Sequence, residues 1–169
     1  MIDRDASVNA FLDRLDWDPE RGVLRDGPAR YVVLRADSLM GLFREIEGET
    51  RQHALDALRR ATARAGGDSL ARYRATSNLG DADFVALVER TAAELGWGRL
   101  RFATGPDRLG LEVRDSPFAA AFGSSPTPVC APLAGILEAV AAILLDRAVA
   151  ARETACAAQG APACRFAAD

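Results

Sequence analysis

The sequence predicts a mixed α/β (α+β) domain in which helices cover one face of an antiparallel sheet. Three observations predict it. From Leu39 to Leu95 apolar residues recur at three- and four-residue intervals, the spacing of helices with one buried face. From Arg99 to Arg114 the period changes to two on either side of Gly105-Pro106-Asp107, which marks a β-hairpin. A last apolar helix is then followed by extended segments at 148–156 and 164–166, joined by the turn Gln159-Gly160-Ala161-Pro162.

Ser7 to Leu15 carries Val8, Phe11, Leu12 and Leu15 at helical spacing, and Trp17-Asp18-Pro19 ends that helix because a residue before proline is pushed out of the α region. Gly22 to Pro28 is extended. Residues 1–28 are expected to form an N-terminal arm against the main domain, 29–169, or against a second subunit. Arg30 to Arg35 (R-Y-V-V-L-R) reads as a strand. Ala36-Asp37-Ser38 then caps a helix with Leu39, Leu42, Phe43 and Ile46 inward, closed by Gly48.

Thr50 to Ala65 makes a second helix, with Leu55 and Leu58 inward and Arg51, Arg59, Arg60 and Arg64 outward; Gly66-Gly67 is expected to stop it. Asp68 to Asn78 forms a third, burying Leu70 and Tyr73. Asp81 caps a fourth that buries Phe84, Val85, Leu87, Val88 and Leu95 and ends at Gly96. Beyond the hairpin, Ser116-Pro117 opens a helical turn over 118–122, and a Gly/Ser/Pro loop runs from Gly123 to Pro128. The last helix begins near Cys130-Ala131-Pro132, where proline suits the first turn, and buries Leu133, Ile136, Leu137, Val140, Ile143 and Leu144.

Composition narrows the function classes. At 169 residues the chain makes one domain with its own core, and 49% hydrophobic with 27% charged residues is ordinary for a globular protein. A formal charge of −3 and the absence of a basic run argue against nucleic acid or anionic membrane as partner. All 21 basic residues are arginine, which excludes a Schiff-base lysine and the lysine of a phosphate-binding P-loop. His53 is the sole histidine and falls on an expected exposed helix face. The charged N-terminus lacks the apolar region of a signal peptide, and the longest apolar run, Ala139 to Leu145, is too short to span a bilayer. A cytoplasmic protein is expected.

Cys130, Cys156 and Cys164 are the only cysteines, and with Glu153 they offer four ligands to one metal ion. An odd cysteine count fits metal or thiol chemistry in a reduced compartment better than a disulfide framework. Three thiolates and a carboxylate satisfy tetrahedral zinc. Cys130 starts a helix, where backbone N–H groups favour a thiolate. Glu153 and Cys156 lie three apart, however, and in a straight strand they would point to opposite faces. They converge only if the strand bends or bulges. The residues alone leave three readings open: a zinc site, plain buried thiols, or a Cys156–Cys164 disulfide.

The C-terminal pattern C-A-P-L-A-G-I-L-E-A … A-R-E-T-A-C-A-A-Q-G-A-P-A-C-R-F resembles the V4R (4-vinyl reductase) domain family, which ends in a cysteine before a Gly-containing helix and then E-x2-C-x6–7-C-x-F. The segment from Arg30 to Leu42 resembles the family's opening strand and helix. The resemblance implies a fold related to the TRAPP vesicle-tethering subunits, with a C-terminal hairpin bound to metal. It implies structural zinc on Cys130, Glu153, Cys156 and Cys164, since a closed four-ligand site leaves no position for a reacting water. It also implies binding of a small hydrophobic or aromatic molecule, as in the family's hydrocarbon-binding proteins and phenol sensors, or a role in bacteriochlorophyll biosynthesis.

The expected wall of a ligand pocket is Trp97, Phe102, Phe118, Phe122 and Tyr73, each of which also suits an ordinary core. Trp97, between Gly96 and Gly98, has an indole N–H to orient a phenol or carbonyl. Catalysis has little support: there is no G-x-G-x-x-G after a strand for a hydride cofactor, and a single histidine makes a Ser/His/Asp set hard to build. By family analogy a homodimer through the early helices is expected. The 169 residues contain neither the ATPase nor the DNA-binding domain of the family's regulators, so any signal is expected to pass to a partner protein.

Overall fold

The computed structural model of the chain describes residues 10–169. Four strands form the main sheet: β4 (Arg99–Thr104), β5 (Leu109–Arg114), β6 (Ala151–Ala155) and β7 (Cys164–Ala168). They lie in the order β4-β5-β7-β6, antiparallel throughout. Alternation along these strands separates two faces. Leu100, Leu109, Leu111, Val113 and Phe166 are buried beneath the helices. Arg99, Arg101, Arg114, Arg152 and Arg165 point outward and are exposed. The expected fold class is therefore the one observed.

Helix α6 (Ala131–Leu145) is the centre of the core, with Leu133, Leu137 and Val140 fully buried. It crosses α3 (Gly48–Ser77) closely, because Gly135 has no side chain there. A Cβ at Gly135 would sit 2.5 Å from the Arg59 carbonyl oxygen and 2.9 Å from Thr62 Cβ. Beside this crossing Arg59 pairs with the buried carboxylate of Glu138, whose Oε1 also accepts the Ala151 N–H at 2.8 Å. One carboxylate thus joins α3, α6 and the start of β6. Arg59 was expected on the outer face; its side chain is only 23% exposed.

Two expected helices are one. Helix α3 runs unbroken through Gly66-Gly67, because these glycines face α6, with ideal Cβ positions 3.0 Å from Ile136 Cδ1 and 3.8 Å from Ala139 Cβ. Two glycines cost a helix roughly 2 kcal/mol together, which tertiary packing overrides. Gly48 opens α3 at φ +56° instead of closing the preceding helix. That helix, α2 (Ala36–Glu45), has Arg35 at its cap position, with no side-chain cap bond from Asp37 or Ser38. In α4 (Asp81–Glu94) the buried residues are Phe84, Val88 and Ala92; Asp81 is its first residue, Val85 and Leu87 are half-buried, and Leu95 just beyond it is 36% exposed.

The N-terminal part is also more structured than an arm. Helix α1 (Ala10–Arg14) is followed by a three-stranded antiparallel sheet, β1 (Asp16–Asp18), β2 (Val23–Asp26) and β3 (Ala29–Tyr31). Ser7 to Asn9 of the expected first helix lie outside the described residues, and Trp17-Asp18 forms a strand rather than a stop. The expected strand over 30–35 ends at Tyr31: its last pair is with Leu24 of β2, and beyond Leu24 that strand has only Val23 before the turn at Gly22 (φ +60°). Val32 and Val33 are left 79% and 87% exposed. The short helix α5 (Pro117–Phe122) is capped by Ser116, whose hydroxyl accepts the Ala119 N–H. No helix among the described residues is long and apolar enough to cross a membrane.

Glycine substitutions separate the crossing from ordinary helix positions. Gly135→Ala is expected to destabilise the protein by about 1–3 kcal/mol through overpacking. Gly41→Ala, inside α2 with only Arg44 Nη2 at 3.8 Å, should be neutral or stabilising by up to about 1 kcal/mol. Urea unfolding of the two variants checks both signs.

Candidate metal centre and apolar cavity

Three separate elements bring the cysteines together. Cys130 is the N-cap of α6; Cys156 follows the bulged strand β6 and caps a single 3₁₀ turn (Ala157–Gln159); Cys164 opens β7. The three sulfurs and the Glu153 carboxylate lie within 4.8 Å of one another. Cys130 Sγ is 3.6 Å from Cys164 Sγ and 3.9 Å from Cys156 Sγ. All three cysteines are buried and free.

The feature that lets Glu153 join them is a β-bulge. Glu153 pairs with Phe166 and Ala155 with Arg165, so two steps on β6 match one on β7 and Thr154 is the extra residue. The added rotation turns Glu153 and Cys156 to the same side, as the sequence spacing required. The Glu153 carboxylate is then divided between two tasks. Its Oε2 accepts the Cys130 N–H at 2.9 Å, while Oε1 is buried with no hydrogen-bond partner. A buried, unpartnered carboxylate oxygen among three sulfurs is the chemistry of an open metal ligand.

Electrostatics agree. Burial, followed by the hydrogen bond and charge of Cys156, pushes the Glu153 carboxyl up to about 8. Hydrogen bonds with Cys156 and Cys164, together with burial and the Glu153 charge, push the Cys130 thiol far up. Hydrogen bonds from Cys130 and Cys156 pull Cys164 down, and the Ala157 N–H at 3.3 Å assists. Between Cys130 and Cys164, these surroundings favour the thiolate at Cys164. Four acidic groups share one buried volume and no cation bonds to them among the described residues. A divalent ion would supply the missing positive charge, so the donor set fits a metal.

A second feature lies on the other side of α6. A cleft of about 470 Å³ is lined by α1, β3, α3, α4, Trp97 and Ile136 of α6. It exists because α3 presents Ala61, Ala65, Gly66 and Ser69 there, small residues at helical spacing that leave the space unfilled. Gly96 (φ +76°) and Gly98 (φ +97°) turn the chain sharply around Trp97. The ring meets Phe118 edge-on, 5.5 Å between centroids at 87°. At the opposite wall Phe11 meets Tyr31 edge-on at 5.3 Å, and the Phe11 N–H donates to Glu94 at 2.9 Å, which ties α1 to α4. The Tyr73 hydroxyl donates to Asp26 and accepts from Arg14 at 3.4 Å.

Of the five expected wall residues, Trp97 and Tyr73 line this cavity. Phe102 faces a separate hollow between α4 and the β4–β5 hairpin, beside Val85 and Leu109. Phe118 and Phe122 are buried, Phe118 behind Trp97 and Phe122 under the Arg51 guanidinium. Tyr31, Phe11 and the small residues of α3 escaped sequence reasoning. A stripe of Ala, Gly and Ser at helical spacing was the available signal.

Fold and site together define a class: an α+β domain with a cysteine–carboxylate centre behind its last hairpin and an apolar cavity beside its central helix. Residues 109–169 match the V4R domain. That matched stretch contains Cys130, Glu153, Cys156 and Cys164, all four residues of the candidate metal centre. The chain is 40% identical over 81 residues to the Bacteriochlorophyll synthase 23 kDa chain of Cereibacter sphaeroides, a match that takes in 48% of this chain and 38% of that protein. The chain therefore spans well under half the length of that relative.

Among solved structures, the phenol-responsive sensory domain of the transcription activator PoxR with phenol superposes at a TM-score of 0.76, with 19% identity, over 95% of this chain and 87% of that one. A vinyl-4-reductase family protein from Methanocaldococcus jannaschii gives 0.51, with 14% identity, over 79% and 89%. A trafficking protein particle complex subunit 3 from Naegleria fowleri, covalently bound to palmitic acid, gives 0.53, with 11% identity, over 79% and 93%. The V4R/TRAPP-like fold is shared by all three.

Cobalt(II) tests the metal centre. Titration of metal-free protein should give thiolate-to-cobalt absorption with an end-point of one ion per chain. Glu153→Gln keeps an acceptor for the Cys130 N–H but removes a charged ligand, so it should fold and bind cobalt at least about tenfold more weakly. Unchanged affinity would remove Glu153 from the ligand set.

Proposed function

We propose that the protein binds a small hydrophobic or aromatic molecule in the cavity beside α6, as a sensor or carrier, and that a structural zinc ion on Cys130, Glu153, Cys156 and Cys164 holds the domain's C-terminal part in place. The cavity carries this reading. Its 470 Å³ falls inside the roughly 300–1,000 Å³ of small-molecule sites, and its wall is apolar and aromatic with few polar groups. The likeness to a phenol-responsive sensory domain supports it.

Zinc is the proposed metal because thiolate-rich four-ligand sites without an open position suit that ion and a structural role. Bound there, it would supply the charge that lets the thiols and the carboxyl ionise together. The cluster's own residues tie the start of α6 to β6 and β7.

A homodimer belongs to the same reading. Val32, Val33, Leu34 and Leu42 are exposed apolar side chains that a second copy would cover. Sedimentation should report a dimer that Val33→Asp dissociates; a monomeric parent protein would count against it. The proposed location is the cytoplasm, where thiols stay reduced.

The 40% identity to a bacteriochlorophyll synthase chain favours a second reading, an accessory or reductase-associated role in tetrapyrrole metabolism. Two titrations distinguish the readings. On the first reading 2-naphthol binds saturably at one site per chain, and Ala65→Phe, which fills the cavity, weakens binding by at least about tenfold. On the second, protoporphyrin shows a shifted Soret band on mixing with the protein. Absence of that shift counts against the tetrapyrrole role, and naphthol binding indifferent to Ala65→Phe counts against the cavity.

A further inference from the structure

Among the cavity's polar groups the charged one and the indole can only donate, while the hydroxyls of Tyr31, Thr62 and Thr91 can donate or accept. Arg30 is the single charged residue on the wall; it sits on β3 with its side chain exposed at the mouth. It has no ion-pair or hydrogen-bond partner among the described residues. Tyr73 is already committed to Asp26 and Arg14, and Asp26 is likewise held by Tyr73 and Arg14, with a 3.7 Å contact to the latter. Ser69 accepts from Arg72 at 3.1 Å. The indole N–H of Trp97 and the hydroxyl of Tyr31 have no hydrogen-bond partner among the described residues. No carboxylate lines the cavity.

A neutral hydrocarbon would leave these donors unmatched. A cationic ligand would meet an unpaired guanidinium. We infer that the cavity takes an amphiphilic carboxylic acid, its apolar ring or chain against Leu70, Ile136 and Trp97 and its carboxylate paired with Arg30 at the mouth. A guanidinium matches a carboxylate in a two-pronged, charge-assisted geometry that a lysine would not reproduce. The apolar body supplies most of the binding, since the Arg30 end remains in contact with water and its ion pair is screened. Arg30 acts here as a selectivity residue, choosing the acid over its neutral ester. This inference rests on the cavity being the binding site.

The test uses 2-naphthoate and its methyl ester, measured by equilibrium dialysis near pH 7 on the full chain. The acid is expected to bind more tightly than the ester, and Arg30→Gln to weaken the acid by about tenfold while leaving the ester unchanged. Arg30→Lys should recover part of the difference, and raised salt should weaken the acid alone. Arg30 is exposed, so its variants should fold as the parent does; unchanged urea unfolding checks this. Equal binding of acid and ester, or an acid affinity indifferent to Arg30→Gln, overturns the inference and leaves the cavity reading intact. If neither compound binds, or Ala65→Phe affects neither, the cavity reading itself falls and the inference with it.

Discussion

The burial of four acidic groups in one place is the constraint on which the rest of this structure depends. Three thiols and a carboxyl from three different elements cannot all ionise together in a dry interior without a positive charge among them. The chain places its strongest geometric devices there: a helix start at Cys130, a bulge at Thr154 and a 3₁₀ turn between Cys156 and Cys164. Glu153 connects them, with one oxygen on the Cys130 N–H and the other turned towards the sulfurs. The four residues bring the start of α6 against β6 and β7.

The second feature borders the same helix. Helix α6 is held at its start by the cysteine centre and at its middle by Glu138, which binds Arg59 of α3 and the first residue of β6. Gly135 lets the two helices touch. With α6 and α3 locked at this crossing, the small residues of α3 beyond it cannot close on the N-terminal sheet, and the cavity remains. The cysteine cluster sits at the start of α6, and the cavity meets the same helix at Ile136.

Much of this was legible in the sequence, for identifiable reasons. Helix and hairpin periods are local, so β4, β5, α5 and α6 were placed nearly to the residue. The four metal-centre residues were marked by their chemistry and by a resemblance that included their spacing. What stayed hidden was tertiary. Gly66-Gly67 looks like a stop until Ile136 packs on it, and Val32 to Leu34 looks like a strand until β2 is seen to end too early to pair with it. Arg59 reads as a surface charge because nothing local reveals Glu138 across the crossing. The cavity was sought among large aromatics, and two of the five line it, yet its volume comes from alanines, a serine and a glycine that attract no notice. Empty space is a property of what a sequence omits.

X-ray absorption at the zinc edge on protein purified without added metal tests the central claim most directly. The account predicts one zinc per chain with three sulfur ligands and one oxygen ligand, and the oxygen lost in Glu153→Gln. Metal-free protein whose fold and unfolding midpoint do not change on adding zinc would contradict it.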